Sequence, residues 1–473
     1  MKTLLRTLLI LLAGSCLCTN PAKAQNKQLK PRLVVLTDIA PANVEPDDME
    51  SLIRLLVHAD LYEIEAIIAT SGWNSSGGPY PTSWMDSINT VIDAYQKDLP
   101  NLMKRSAQSG FLPLKKENRQ QQLGYWPSAD YLRSRVMAGS LELGKDKLGE
   151  KNNSRGSDFL IQLADEDDDR PLWIAAWGGA NTLAQAIWKV QRERTEEQLK
   201  AFLDKLYVYT ITDQDVSWGD RDNHKYSSHY WMRQTCGKSL RFIWDESAWL
   251  SQCGLGSSRW GEYATHIQGH GHLGRIYPKN KYGVEGDTPS YLHLMPNGLN
   301  NPAVFNEAGW GGYFEWGLSP DGETSCYTNH QPEVKKISQK YENYFYPAIF
   351  ANFAARMDWV AQGKGNRNPV VIVNRQKGLD AVSLKARAGE TIQLDASKSS
   401  DPDGDRLSYH WWILPEAGTY AGTPEIEHAD AARATLTVPA DAAGKALHVI
   451  CEVTDDGQPA LKGYRRVIIT VNP

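Results

Sequence analysis

The hydrophobic positions change their spacing once along the chain, near residue 360. Before that point, short continuous apolar runs alternate with stretches in which apolar residues recur at helical spacing, as in residues 33–36 and then 49–58. Continuous apolar runs are typical of strands that are buried on both faces of a parallel sheet. The pattern therefore predicts an α/β domain with a doubly wound, mostly parallel sheet, whose functional loops follow the carboxyl ends of the strands.

The same alternation continues to about residue 356. Further strands are predicted at 64–70, 172–176, 206–209 and 241–244, and further helices at 83–96 and 182–192.

The last hundred residues follow a different pattern. A polar, glycine-rich segment at 363–368 indicates a linker, which we expect to be cleavable. The strand patterns beyond it are short and separated by turn residues, which predicts an all-β sandwich of the Ig-like type over residues 369–473, separable from an α/β domain over residues 25–362.

The first 24 residues have the pattern of a signal peptide. Two basic residues precede the apolar run at 8–13, and residues 22–24 offer small side chains for cleavage. This run is too short to cross a bilayer and no later stretch is apolar enough, so we expect no membrane span. The sequence predicts export to the periplasm or the extracellular space. Cys16 leaves a lipoprotein as the alternative, although the residues before it are out of register for a lipobox.

Composition and charge narrow the function further. The chain has 473 residues, of which 41% are hydrophobic and 23% charged, with a formal net charge of −5. These values indicate a globular protein, and the lack of a basic stripe argues against nucleic-acid binding. The chain has 16 Trp and 21 Tyr against 9 Phe, an excess that favours stacking on sugars. No CxxC pair signals zinc or redox chemistry, and a Cys236–Cys253 disulfide is possible.

The most informative stretch lies between the first predicted strand and the first predicted helix. Asp38, Asp47 and Asp48 converge there, at the edge where a parallel sheet places its ligand crevice. Several carboxylates together form a typical calcium site. Asp47 or Asp48 could instead cap the helix, but one cap needs one acid, and Asp38 has no capping role. The sequence therefore predicts a metal site.

These residues also carry a family resemblance. The form Thr-Asp-Ile at 37–39 followed by Glu-Pro-Asp-Asp at 45–48 resembles the N-terminal signature of the inosine-uridine nucleoside hydrolases. It is more closely similar to a secreted nucleoside-hydrolase-like family described as cellulose-binding, whose members carry a C-terminal sandwich. Residues 285–290, 296–299 and 309–312 also fit that family. The resemblance implies a hydrolase fold with bound calcium.

The resemblance also implies roles for single residues. Asp38, Asp48, Asp287 and the backbone carbonyl of Asn181 would hold calcium, and Asp47 would be the catalytic base. On the substrate side, Trp73, Asn74 and Glu285 would contact the sugar. Without the family, Asn74 is equally a turn former, Asn181 a helix N-cap and Asp287 a turn acid.

Two departures set this chain apart from the nucleosidases. Residues 40–44 look like an insertion relative to the nucleosidases, so the loop that holds the metal must have a different conformation here. Gly286 stands where the nucleosidases have a histidine that protonates the leaving group. Glu285, His270 and His272 are candidates for a displaced acid. Two acidic segments, 213–215 and 220–223, are either substrate-binding or simply polar loop.

A second acidic segment lies in the predicted sandwich. Residues 394–405 resemble Ig-like sandwiches of the polycystic-kidney-disease type. Asp401, Asp403 and Asp405 could hold calcium, and an acidic turn shaped by Pro402 and Gly404 is the simpler interpretation.

Two functions remain open on this evidence. The first is an exported, calcium-dependent glycoside or N-ribosyl hydrolase that acts on a furanosyl or related sugar of a glycan or nucleoside. The acidic residues suit this reaction, because such bonds break through an oxocarbenium-like state that needs a base and nearby negative charge. The second is a non-catalytic protein that binds cellulose or another polysaccharide. A pure binding protein has no need for three converging aspartates, so we favour the enzyme.

Overall fold

The computed structural model describes residues 28–75, 78–112, 121–216 and 223–473. The predicted signal peptide therefore lies outside the described residues, as do residues 220–222 of the second acidic segment. In the part of the chain that is described, no helix is both long and apolar enough to cross a membrane.

Strands and helices alternate through the first domain. Its strands are β1 (Arg32–Thr37), β2 (Glu63–Ala69), β3 (Val136–Ala138), β4 (Leu172–Ala176), β5 (Leu206–Ile211), β6 (Arg241–Asp245), β7 (Glu315–Leu318) and β8 (Ser325–Thr328). Its helices are α1 (Asp47–Leu56), α2 (Asp86–Arg105), α3 (Ala129–Ser134), α4 (Arg155–Ala164), α5 (Asn181–Glu193), α6 (Glu196–Lys205), α7 (Ser228–Cys236), α8 (Ala248–Ser258), α9 (Trp260–His266), α10 (Gly271–Ile276), α11 (Thr288–Leu292) and α12 (Pro332–Gln362).

The strands form one eight-stranded sheet in the order β3-β2-β1-β4-β5-β6-β8-β7. Every neighbouring pair is parallel except β7 and β8. Successive residues of β1 enter different hydrophobic clusters, Leu33 and Val35 on one face and Val34 and Leu36 on the other. Both faces of the sheet are thus covered, and the predicted doubly wound α/β fold is confirmed. The β7–β8 hairpin and the long helix α12 were not predicted.

Strand β1 is the point at which the chain changes direction across the sheet. It pairs with β2 on one side and with β4 on the other. Loops leaving these strands therefore diverge at their carboxyl ends and open a crevice, which is where open α/β sheets bind ligands.

The C-terminal domain is all β, as predicted. Its strands are β9 (Val382–Ala386), β10 (Thr391–Asp395), β11 (Leu407–Ile413), β12 (Ile426–Glu427), β13 (Arg433–Thr437), β14 (Ala446–Asp455) and β15 (Lys462–Val471). A three-stranded sheet, β10-β13-β12, and a four-stranded sheet, β11-β14-β15-β9, enclose a separate hydrophobic core.

The linker is more ordered than its glycine-rich composition suggests. Helix α12 ends at Gln362, and Gly363 closes it with a left-handed φ of 64°. The Asn366 carbonyl then accepts a hydrogen bond from the Trp359 indole at 2.8 Å, and the Asn366 amide donates to Asp455 at 2.8 Å. These bonds tie the linker to both domains, so the structure favours resistance to cleavage over the cleavage that the composition suggests.

A buried arginine joins the two domains. Arg466 of β15 is 1% exposed and donates to the carbonyls of Leu299 and Ala308 at 2.8 and 3.1 Å. It also pairs with Glu307 at 3.2 Å. Tyr464 of the same strand belongs to the main hydrophobic cluster of the α/β domain. The sandwich thus encloses its own core and also packs against the first domain through buried contacts. These contacts favour joint folding over a separable module, and the separability stays a prediction.

The acidic turn of the sandwich is also an interdomain contact. Asp403 pairs with Arg105 at 2.6 Å and with Arg367 at 2.8 Å. Asp401 accepts hydrogen bonds from the backbone N–H groups of Asp403 and Asp405, at 2.7 and 3.2 Å. These contacts support the simpler interpretation, an acidic turn, since two guanidinium groups already occupy Asp403.

The described cysteines are not paired. Cys236, Cys253, Cys326 and Cys451 are all free thiols, so the structure does not contain the Cys236–Cys253 disulfide. Cys236 ends α7, whereas Cys253 lies in α8.

Candidate functional site

A cavity of about 520 Å³ opens at the carboxyl ends of the strands. Five of the predicted site residues line it, namely Asp47, Asp48, Trp73, Asn74 and Asp287. The other lining residues are Glu45, Ile211, Gln214, Trp249, Cys253, Tyr282 and Gly283. We call this space the acidic cavity.

A larger cavity of about 610 Å³ lies at the opposite edge of the sheet, between the two domains. Asp380 is the one acidic residue among its described lining residues. It therefore offers no cluster of carboxylates, and the chemistry points to the acidic cavity.

Asp38 leaves β1 directly beneath the acidic cavity and is 1% exposed. The backbone N–H of Asn74 donates to Asp38 Oδ2 at 2.9 Å, and the Asn74 side-chain amide donates to the Asp38 carbonyl at 3.2 Å. Gly72 and Gly178 let two other loops approach, because a Cβ atom would lie 2.3 Å from Asp38 Oδ2 at Gly72 and 2.9 Å from Asp38 Oδ1 at Gly178. Three strand ends thus fix this carboxylate.

Asp47 and Asp48 occupy the first turn of α1. The N-cap residue is Pro46 and makes no side-chain cap bond. Thr37 at the end of β1 donates its hydroxyl to Asp48 Oδ1, which turns this carboxylate back toward the strand. Neither aspartate is the capping residue, so simple capping does not explain the pair.

Glu45 joins this pair, although the sequence did not single it out. Its two carboxylate oxygens accept from the backbone N–H of Asp47, both at 3.1 Å. One carboxylate oxygen from each of Glu45, Asp47 and Asp48 lies within 4.8 Å of the other two. Three carboxylates at this spacing could hold one metal ion. Its position in the Glu-Pro-Asp-Asp motif is the sequence feature that could have identified Glu45 as a site residue.

Asp287 reaches the acidic cavity from the turn before α11. It is 2% exposed, and its Oδ2 atom has no hydrogen-bond partner. Burial raises the pKa of Asp287 well above its usual value, and Asp48 and Asp47 raise it further. An unpartnered, buried carboxylate oxygen is costly unless a cation or a proton compensates it.

The electrostatics of the cluster favour a bound cation. Burial raises the pKa of Asp38 to about 7, and the nearby Asp47 adds to the shift. Burial also raises the pKa of Asp48, as do Asp38 and Asp47. The described lining contains no Lys, Arg or His. Hard oxygen ligands without a cationic side chain fit a divalent ion such as calcium.

Asn181 is placed differently from the other predicted ligands. Its side chain accepts from the Gly144 N–H at 2.8 Å and donates to the Gly144 carbonyl at 2.9 Å. This side chain holds a neighbouring loop and is not an N-cap, since the N-cap of α5 is Ala180. That the Asn181 carbonyl binds a metal stays a prediction.

Glu285 does not line the acidic cavity, which corrects the prediction that it contacts substrate. It is fully buried and pairs with Arg54 at 2.5 Å. Tyr277, Tyr263 and Gln252 also donate to its carboxylate, at 2.8, 3.2 and 3.2 Å. Because it is buried, paired with Arg54 and outside the acidic cavity, Glu285 anchors the turn that carries Asp287 and is not a displaced acid.

The two histidine candidates for the displaced acid lie elsewhere. His272 pairs with Asp98 of α2 at 2.8 Å, and His270 lies 3.7 Å from Asp358 of α12. Neither lines the acidic cavity. A side chain at Gly286 would also be obstructed, since a Cβ atom there would lie 2.8 Å from Asp47 Oδ2 and 3.0 Å from Cys253 Sγ. A histidine at this position would therefore require the side chain of Asp47 or Cys253 to move.

The loop after β5 contributes one side chain to the acidic cavity. Gln214 lines it and donates to the Trp177 carbonyl. Asp213 pairs with His224 at 3.0 Å. Asp215 accepts from the Ala180 N–H at 2.6 Å and from the hydroxyl of Ser228. These two acids are buried structural groups, so Gln214 is the candidate for substrate contact among the residues of this loop that the structure describes.

Aromatic side chains form the apolar part of the acidic cavity. The rings of Trp73 and Trp249 stand at 65° with their centroids 6.3 Å apart. The Trp73 indole donates to the Val216 carbonyl at 2.7 Å, which fixes its orientation. Tyr282 stands at the rim and is 72% exposed. The sequence did not predict Trp249 or Tyr282 as site residues. Both are far from the acidic motif along the chain, and only the folded positions of a helix and a loop place them at the cavity.

Comparison with known proteins agrees with this geometry. Residues 32–314 match the family described as "Cellulose-binding Sde182, nucleoside hydrolase-like domain". The chain belongs to this family. Residues 391–471 match a second description, "Cellulose-binding protein Sde0182, C-terminal domain", so both domains have counterparts in proteins of this kind.

A solved structure extends the family likeness over both domains. A nucleoside hydrolase-related hypothetical protein from Saccharophagus degradans, described as associated with carbohydrate metabolism, is 34% identical. The alignment covers 94% of this chain and 100% of that one, with a TM-score of 0.78. No protein with a curated description matches the sequence.

Other solved structures match only about a quarter of the chain. The PKD domain of the KIAA 1837 protein is 20% identical over 23% of this chain and 90% of its own, with a TM-score of 0.16. A glycan-binding protein of Bacteroides ovatus, SGBP-B bound to a mixed-linkage heptasaccharide, is 20% identical over 23% of this chain and 25% of its own, with a TM-score of 0.15. Scores this low carry no argument about function.

Proposed function

We propose that this protein is an exported, calcium-dependent hydrolase of glycosyl bonds. Its substrate is a furanosyl or related sugar in a glycan or a nucleoside. The observation that carries the proposal is the convergence of Asp47, Asp48 and Asp287 at one cavity beside two tryptophans. Asp38 lies close enough to Asp48 and Asp287 to add to the rise that burial causes in the pKa of both. Export rests on the N-terminal pattern of the sequence.

Calcium would be held by Asp38, Asp48 and Asp287, with the Asn181 carbonyl as a further candidate. The unpartnered, buried Oδ2 of Asp287 supports this assignment, because no described side chain donates to it. Bound calcium would supply a grip on vicinal hydroxyls and a lower pKa for a water molecule.

Asp47 would accept the proton of the attacking water. It lies at the start of α1, and burial raises its pKa above the usual value, although hydrogen bonds from Glu45 and the backbone oppose that rise. A raised pKa makes the carboxylate a stronger base. Asn74 and Gln214 would bind sugar hydroxyls, and Trp73 and Trp249 would pack against the apolar face of the ring. The leaving group would need little protonation, because Gly286 replaces the expected histidine.

A binding function is the second candidate. Both families matched by this chain are described as cellulose-binding. The aromatic rim of Trp249 and the exposed Tyr282 would suit a glycan chain that is held without being cut. The two proposals differ in whether Asp47 has a chemical role.

One experiment separates the two candidates. Purified protein is supplied with calcium or with EDTA and tested against nucleosides, p-nitrophenyl furanosides and furanoside-containing glycans, and cello-oligosaccharide binding is measured by calorimetry. Hydrolysis that requires both calcium and Asp47 supports the enzyme. Oligosaccharide binding with no cleavage of any of these substrates supports the binding protein and refutes the proposed hydrolase.

A further inference from the structure

We infer that Glu45 is an additional ligand of the cation, supplied by the extra loop before α1. This inference rests on the proposed calcium site and adds a residue that the resemblance does not assign. Asp287, which is buried with an unpartnered Oδ2 and lines the same cavity, independently indicates that a cation binds there.

The position of the Glu45 carboxylate favours coordination. It lines the acidic cavity and has a ligand atom within 4.8 Å of those of Asp47 and Asp48. Oxygens at this spacing can share one calcium ion, whose oxygen ligands lie at about 2.3–2.6 Å from the metal. Among the described residues, no cationic side chain forms an ion pair with Glu45.

Glu45 has one structural partner, and that contact leaves room for a cation. Both carboxylate oxygens accept from the same donor, the Asp47 N–H, at 3.1 Å. A carboxylate has about four lone-pair sites, so sites remain for a cation. The carboxylates of Asp47 and Asp48 lie within 4.8 Å of that of Glu45, so their negative charges repel one another. A divalent ion would remove this repulsion.

The loop that carries Glu45 is held in place from across the cavity. Lys281 donates to the carbonyls of Asn43 and Val44 at 2.8 and 2.9 Å. The N–H groups of Val44 and Glu45 both donate to the Pro41 carbonyl, at 2.7 and 3.3 Å. The carboxylate is therefore pre-positioned, and the extra loop that distinguishes this chain from the nucleosidases would become part of the metal loop.

Calcium affinity measured without substrate tests the inference. Isothermal titration of the full chain with calcium, after EDTA treatment and dialysis, gives the dissociation constant. Glu45→Gln keeps an oxygen that can accept from the Asp47 N–H and removes the charge. We expect affinity to fall at least about tenfold, since even groups behind the ligands change metal affinity by about 10–100-fold. Glu262→Gln is the matched control, because Glu262 pairs with Arg259 on the surface.

A second variant keeps the test decisive if Glu45→Gln is poorly folded. Lys281→Met releases the loop without altering a carboxylate, and we expect a smaller loss of calcium affinity with unchanged circular dichroism. If wild type binds calcium and both Glu45→Gln and Lys281→Met bind within twofold of it, Glu45 is not a ligand, although the proposed function stands. If wild type binds no calcium, the proposed function fails at its cofactor and this inference fails with it.

Discussion

The Asn74 backbone N–H donates to Asp38 Oδ2 at 2.9 Å, and the Asn74 side chain donates to the Asp38 carbonyl at 3.2 Å. These two bonds tie the loop after β2 to the end of β1. They hold the carboxylate of Asp38 beneath the acidic cavity, and they place Trp73, the preceding residue, on its wall. One asparagine thus connects the candidate metal ligand to the candidate sugar-binding surface.

Calcium should stabilise the wild-type protein against heat, because it compensates carboxylates that are buried only in the folded state. At about 100 times its dissociation constant, a ligand adds about 2.7 kcal/mol. Asp48→Ala and Asp287→Ala should lose most of the calcium-dependent rise in Tm, measured by differential scanning fluorimetry. Asp130→Ala, an exposed surface control, should keep it. An equal rise in all variants would place calcium elsewhere.

Asp47→Asn should abolish turnover while sugar binding survives. The substitution keeps the size of the side chain and removes its capacity to accept a proton. Loss of a general base lowers kcat by about 10²–10⁴-fold. Steady-state kinetics and calorimetry with the same substrate give the two quantities. If a substrate is hydrolysed and its kcat is unchanged in Asp47→Asn, then Asp47 is not the base.

Arg54→Met should destabilise the fold by about 3–5 kcal/mol, the usual cost of leaving a buried charge unpaired. Arg54 also donates to the Ile349 carbonyl of α12, so its loss affects the packing of α1 and α12 as well as Glu285. Urea unfolding measures the change. The double variant Arg54→Met/Glu285→Gln should be less destabilised than Arg54→Met alone. If it is more destabilised, the unpaired Glu285 charge is not the cause.

The linker at 363–368 should resist limited proteolysis in the wild type. Arg466→Met removes the buried pair with Glu307 and two bonds to the α/β domain. We expect this variant to be cut in the linker at protease concentrations that leave the wild type intact, as followed by gel electrophoresis. Arg406→Met, which alters an exposed pair with Asp456, should behave like the wild type. Equal cleavage of all three would contradict the shared interface.

Acid should destabilise the protein through His58, which is buried near Arg54 and Arg356. Burial, together with the charges of Arg356 and Arg54, lowers the pKa of His58 to about 3. In the unfolded chain this pKa is about 6.5. Between these values the unfolded state binds more protons, so the free energy of unfolding should fall as the pH drops from about 6.5 toward 3. In urea unfolding with EDTA present, His58→Gln should show a shallower fall over that window, and an unchanged slope would exclude His58.

Residues with a local signature could be predicted from the sequence. The alternation of apolar runs and helical spacing predicts the parallel sheet, because strands buried on both faces must be continuously apolar. Acidic residues that follow the first predicted strand identify Asp38, Asp47 and Asp48 as site residues, because the carboxyl ends of parallel strands meet at one edge of the sheet. Asn74, Trp73 and Asp287 follow from the family motifs, and the structure brings them to the same cavity.

Other residues depend on contacts that only folding creates. Glu285 has the sequence context of a site residue, yet Arg54, 231 positions away, engages it below the cavity. Trp249 and Tyr282 have no motif and reach the cavity through a helix and a turn. The glycine-rich linker has the composition of a flexible segment, but bonds to both domains make it rigid. Composition and spacing determine which strands and helices form, whereas the pairing of buried charges and the docking of domains depend on three-dimensional neighbours that no local pattern records.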